Sequence, residues 1–189
     1  MKIGLDGNTV FNEYLEYKAN DIMDAFEGNN SEIPTRSISY EWQIGRNGKD
    51  RHKVLVDGVD DNSMNRTGLY IYSRNDSLDS KRSFVYCGVT AKVGFLQRFV
   101  KVCRHALNNI SPGDTVIPFS KYLRTVCKGD LDDIRVCFVP MEVPHAELKD
   151  LEKLVIKKLR AKYGWQVRNV SDGEKAPEVI DKDYLELPF

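Results

Sequence analysis

Between Thr67 and Arg104 the chain reads TGLYIYSRNDSLDSKRSFVYCGVTAKVGFLQRFVKVCR. Two short aromatic runs, Gly68-Leu69-Tyr70-Ile71-Tyr72 and Phe84-Val85-Tyr86-Cys87-Gly88-Val89, flank the polar segment Ser73–Ser83. Aromatic and β-branched residues favour a pleated, half-buried surface, and a polar segment of that length suits a hairpin loop. A helical pattern follows, from about Lys92 to Asn108. Its expected inward stripe is Leu96, Phe99, Val100, Cys103 and Leu107, with Gln97, Arg98, Lys101, Arg104, His105 and Asn108 on the other side. Arg98 and His105 are seven residues apart, nearly two turns, so they are expected to point the same way with Lys101 between them. The helix should therefore show one cationic face.

Residues 10–27 place Phe11, Leu15, Ala19, Ile22, Met23 and Phe26 at helical spacing, with Gly28-Asn29-Asn30-Ser31 as a stop. Ser37–Ile44 alternates polar and apolar, Asn47-Gly48 is a hairpin signal, and Lys53–Val56 is the expected returning strand. The tip of that hairpin is basic: Arg46, Lys49, Arg51, His52 and Lys53. A two-stranded ribbon fits a major groove, and such a tip suits phosphate contacts; a solvated turn explains the same residues. Asp57–Arg66 is polar and marks a boundary. Beyond the central stretch come a short helix at Pro118–Cys127, a strand at Ile134–Val139 and a long helix at Ala146–Tyr163 stopped by Gly164. The chain thus divides into an N-terminal helix and hairpin (1–66), a central domain (67–170) and an acidic tail (171–189).

A formal net charge of zero conceals an asymmetry. Residues 1–66 hold 8 Lys+Arg against 12 Asp+Glu (−4), residues 67–169 hold 18 against 10 (+8), and residues 170–189 hold 2 against 6 (−4). A basic middle between acidic ends points to a polyanionic partner. No apolar run approaches the roughly 20 residues that span a bilayer, and MKIGLDGNTV lacks the apolar core of a signal peptide. Cys87, Cys103, Cys127 and Cys137 form no CxxC pair. Buried thiols in a reducing compartment, and hence a cytoplasmic protein, are the expectation.

Glu152 lies one turn after Leu148 and one turn before Val155 and Ile156, on the margin of the stripe formed by Leu148, Leu151, Val155 and Leu159. A carboxylate there is costly unless it pairs with a cation or a metal. A glutamate reaching out to solvent is the plain alternative.

Gly68-Leu69-Tyr70, then Tyr86-Cys87-Gly88, Arg98 on a helix, Glu152 on a later helix and Asn169 soon after it resemble, in order and approximate spacing, the GIY-YIG nuclease superfamily over about residues 67–170. The resemblance implies an α+β fold: a small three-stranded antiparallel sheet flanked by helices, here with the N-terminal helix and hairpin added. There are departures. Cys87 replaces an aliphatic residue, and the loop between the strands and the gap from Gly88 to Arg98 are long. Val102 stands where many members carry His or Tyr, which leaves His105 as a substitute two turns after Arg98.

By this resemblance the chain is a DNA endonuclease, restriction-type or phage-encoded, acting in a bacterial or phage-infected cell. Tyr70 activates or positions a water, Arg98 holds the scissile phosphate, and Tyr86 supports either. Glu152 binds one Mg2+ (or Mn2+) ion per active site, and Asn169 braces the geometry. Lys92 and His105 are further candidates for phosphate contact or acid–base work. Lys101, Arg104, Arg46, Lys49, Arg51 and Lys53 are the expected contacts to double-stranded DNA. Two-strand cutting by one site implies a homodimer. Two other readings stay open: a nucleic-acid-binding module on the same fold without cleavage, and an unrelated α/β interaction domain.

Overall fold

The computed structural model describes residues 7–29, 36–44, 50–56, 65–107 and 118–169. The chain runs α1 (Gly7–Phe26), β1 (Arg36–Ile44), β2 (Asp50–Val56), β3 (Gly68–Arg74), β4 (Phe84–Thr90), α2 (Phe95–Ala106), α3 (Pro118–Thr125), β5 (Ile134–Pro140) and α4 (His145–Tyr163). Short 3-10 turns occupy Ser80–Arg82 and Gly164–Gln166. The polar boundary segment through Met64, Asn108 and the acidic tail from Val170 lie outside the described residues.

The fold is α+β, and its centre is a three-stranded antiparallel sheet flanked by helices. β3 lies between β4 and β5 and is antiparallel to both. The strand period of two sorts the side chains of these strands onto two faces. Leu69, Ile71, Val85, Cys87, Cys137 and Val139 pack with Leu15, Ala19 and Ile22 of α1 and with Leu148, Leu151, Val155 and Leu159 of α4. Tyr70, Tyr72, Phe84, Val136 and Phe138 pack with Phe95, Phe99 and Val102 of α2 and with Phe119 and Leu123 of α3. The α4 stripe is the one expected from its spacing, and Gly164 ends that helix at a left-handed φ of 56°. All four cysteines are free and buried, again as expected.

The N-terminal hairpin is not a separate appendage. β1 pairs with β5 at Arg36↔Val136, Ser37↔Arg135 and Ile38↔Ile134, which extends the sheet to β2-β1-β5-β3-β4. Past Ile38, residues Ser39–Ile44 pair with β2 alone. This two-stranded arm is about 20 Å long at the usual rise per residue.

Buried charge ties the loops at one end of the sheet. Arg74 donates to the Asp130 carboxylate at 2.7 Å and to the Asp130 carbonyl at 3.0 Å. Arg82 binds the same carboxylate and lies 3.5 Å from Asp76. The long β3–β4 loop is thereby anchored to the approach to β5. Among the described residues no helix is long and apolar enough to cross a membrane.

Candidate active site

Strand register sets the site. Tyr70 on β3 stands directly opposite Gly88 on β4, and its ring lies across the bare glycine. A Cβ at Gly88 would come within 2.5 Å of the phenol oxygen and 2.6 Å of Cζ. The ring cannot swing aside easily. Tyr72 lies 4.7 Å from it, Phe95 5.5 Å and Tyr86 6.5 Å between centroids. Gly88→Ala should therefore lower stability by about 1–3 kcal/mol and push the phenol away from Arg98. Urea unfolding measures the first effect; an unchanged midpoint would show that the glycine is dispensable.

Arg98 comes from α2, but that helix is rolled relative to its expected orientation. The buried stripe is Phe95, Phe99, Val102, Cys103, His105 and Ala106, whereas Leu96, Val100 and Leu107 are only partly buried. The shift is about a quarter turn at 100° per residue. It moves Arg98 from the outer side to the margin of the stripe, where Arg98 Nε donates to the Tyr70 hydroxyl at a long 3.5 Å. No other side-chain hydrogen bond or ion pair of Arg98 occurs among the described residues. Its terminal nitrogens are thus open to an oxyanion, for which a planar fork is well shaped.

The same roll overturns the expectation for His105, which is 1% exposed instead of projecting from a cationic face. It sits about 10 Å along the helix axis from Arg98, so it does not replace the residue missing at Val102. Lys101 and Arg104 are partly exposed on the helix, and Lys92 is exposed in the β4–α2 turn.

Burial governs the titration of the site. Tyr70 is 1% exposed, and desolvation pushes its phenol above the ordinary tyrosine value despite the opposing pull of Arg98. Tyr86 is raised by the same cause, and Tyr72 well above the ordinary value. In the free protein Tyr70 is therefore a neutral phenol that can donate a hydrogen bond, and not a preformed base. For Arg98, burial opposes the charge but the neighbouring phenols outweigh it, so the guanidinium is held more firmly protonated than usual.

The raised phenols have a consequence for stability. Above about pH 10 an unfolded tyrosine ionises, while the folded chain keeps those protons. The unfolded state then binds fewer protons and stability falls as pH rises, by about 1.4 kcal/mol per pH unit for each retained proton. The buried thiols, also raised by desolvation, begin the decline near about pH 8.5. Urea midpoints measured across alkaline pH should show this loss, and Tyr72→Phe should flatten it by about one proton's slope above pH 10. An identical slope in the variant would remove Tyr72 as a source.

Glu152 comes from α4, the layer on the opposite face of the sheet. Its carboxylate is close enough to raise Cys87 on its own face and Tyr70 and Tyr86 on the other. The side chain is 13% exposed, and Lys149 Nζ donates to it at 2.6 Å. It lies on the stripe margin, as its spacing implies. Among the described residues no three His, Cys, Asp or Glu side chains group to hold a metal. A single carboxylate is a donor set that suits Mg2+, which keeps several waters and takes other ligands from substrate phosphate.

Asn169 is 8% exposed and clamps the backbone of Cys87 from outside the sheet. Its Nδ2 donates to the Cys87 carbonyl at 2.6 Å and its Oδ1 accepts from the Cys87 N–H at 2.8 Å. Val85 and Val167 form a parallel bridge just before it, and Arg168 N–H donates to the Val85 carbonyl at 2.9 Å. The edge strand is thus held on both sides of Tyr86, a bracing role that needs no contact with the phosphate.

The structure brings Arg98 to Tyr70 and sets Tyr86 beside Tyr70, while Asn169 holds the strand that carries Tyr86 and Glu152 stands on the other face, within electrostatic reach of both tyrosines. It does not bring His105 to them. Arg46 and Lys49 lie outside the described residues. Arg51 and Lys53 occupy β2, at the far edge of the sheet from β4. Three strand spacings, about 14 Å, separate β2 from β3. Gly88, read only as a motif letter, proves to be the floor under Tyr70. The comparisons of this chain with family models, curated proteins and solved structures return no match.

Proposed function

We propose that the chain is a metal-dependent DNA endonuclease of the GIY-YIG type, restriction-type or phage-encoded, hydrolysing phosphodiester bonds in double-stranded DNA in the cytoplasm. The observation that carries this reading is the Tyr70–Arg98 pair over Gly88, with the Arg98 terminal nitrogens open. Arg98 grips the scissile phosphate and offsets the charge that develops on it. The Arg98 contact occupies a lone pair of the Tyr70 oxygen, which leaves the phenol proton to orient a water or a phosphate oxygen. Glu152 holds one Mg2+ or Mn2+ ion per site, and Lys149 yields the carboxylate to it. When bound, that ion neutralises phosphate charge and lowers the pKa of a coordinated water. Tyr86 walls the site, and Asn169 fixes the strand that carries it. The two-stranded β1–β2 ribbon supports a role for the hairpin in reading duplex DNA. Cutting both strands takes a homodimer.

The test is digestion of supercoiled, linear and branched DNA with Mg2+ or Mn2+, followed by mapping of the ends. Metal-dependent products with defined ends are expected. If every substrate stays intact with both metals, the nuclease reading fails.

A further inference from the structure

The rings beside Tyr86 continue outward from the site. Tyr86 stacks on Phe119 with centroids 4.2 Å apart and planes 9° apart, and Phe119 lies 6.2 Å from Tyr122 at 19°. The Arg168 guanidinium covers the Tyr122 ring at 4.6 Å and the Trp165 ring at 5.5 Å. Phe119 is 2% exposed and the inner rings cover one another in the core, so only the outer end of the column, Trp165 at 47% exposed, reaches solvent. Its outer part is fixed to its inner part. The segment carrying Trp165 and Arg168 is tied to the edge of β4 through Val85 and Cys87, the residues on either side of Tyr86.

Cations outnumber carboxylates around this column, although Asp76, Asp79 and Asp130 flank the Ser80–Arg82 turn. The three segments that meet at Tyr122 (Ser80–Arg82, Pro118–Thr125 and residues 164–169) carry Lys81, Arg82, Lys121, Arg124 and Arg168 and no carboxylate. Of these, Arg82 is paired with Asp76 and Asp130, and Lys81 and Arg124 also engage neighbours. A flat exposed indole backed by a guanidinium, beside an excess of cations, matches a ligand with planar faces and negative links between them. An unpaired nucleic-acid strand has that chemistry, and its bases stack on aromatic side chains without regard to sequence. A fully paired duplex has its base faces covered.

We infer that the exposed outer end of this column, Trp165 backed by Arg168, is a stacking track for unpaired bases. The preferred substrate is then DNA with a single-stranded segment beside the cut, as at a flap, a fork or a melted end. This rests on the nucleic-acid reading of the Tyr70–Arg98 site and narrows its substrate.

The experiment is a binding titration of a labelled short oligothymidine with the full chain in EDTA, where hydrolysis cannot contribute. Trp165→Phe keeps a ring; Trp165→Leu and Trp165→Ala do not. The expected result is binding by the wild type, near-wild-type binding by Trp165→Phe, and about tenfold weaker binding by both Trp165→Leu and Trp165→Ala. Thermal unfolding of each variant reports its fold. Trp165→Leu binding as tightly as Trp165→Phe, or an oligothymidine that does not bind while a duplex does, would overturn the track. Cleavage is read separately by adding Mg2+. Trp165-dependent binding without any cleavage keeps the track and removes only the hydrolytic reading. Duplex cleavage with oligothymidine binding that is indifferent to Trp165 removes only the track.

Discussion

Arg98→Ala lowers the cleavage rate by about a hundred- to a thousandfold, the usual cost of removing one charge-stabilising donor, while the chain stays folded. Arg98 is only partly buried, and its one side-chain hydrogen bond among the described residues is the long one to Tyr70, so little packing is lost. Arg98→Lys keeps the charge but loses the planar fork, and it should recover only a minor part of the rate. Single-turnover cleavage of a labelled duplex, with urea unfolding alongside, measures both effects. A fully active Arg98→Ala would show that the phosphate binds elsewhere. A variant that unfolds would show that Arg98 is a structural residue.

Glu152→Gln preserves shape and removes the charge. A metal ion at a phosphodiester supplies several kcal/mol of transition-state stabilisation, so losing its protein ligand costs about a hundredfold in rate or more. The stability cost is small. The pair that is broken joins Glu152 to a Lys149 whose side chain is 47% exposed, and such pairs contribute about 0–1 kcal/mol. Raising Mg2+ should restore part of the lost rate if the remaining oxygen still coordinates weakly. A Glu152→Gln variant that cuts at the wild-type rate, at every Mg2+ concentration, would remove Glu152 from the site.

The local elements were legible because their periods are unambiguous. Leu69 and Ile71 against Tyr70 and Tyr72 could only be a strand with two buried faces, and the Leu148–Leu159 stripe could only be a packed helix. The roll of α2 was not legible. Phe95, Leu96, Phe99, Val100, Val102 and Cys103 give that helix two overlapping apolar stripes. Which one is buried depends on α3 and the sheet, not on α2 itself. That choice took His105 inside and brought Arg98 to Tyr70. The joining of the hairpin to β5 was hidden for a similar reason: no local signal in Arg36–Ile38 names a partner nearly a hundred residues away. The Tyr70–Gly88 contact needed the register, and the column from Tyr86 to Trp165 needed three separate segments in place. The one sequence hint of its outer end was an aromatic and an arginine three residues apart, Trp165 and Arg168, just after a helix stop.

The most direct measurement is a crystal structure of the chain with an uncleaved duplex and Ca2+, an oxygen-seeking ion like Mg2+. The expected result is one phosphate within hydrogen-bond distance of the Arg98 terminal nitrogens, with the cation on Glu152 and the Tyr70 hydroxyl turned toward both. DNA seated away from Arg98, or a cation held by residues other than Glu152, would contradict the proposed site.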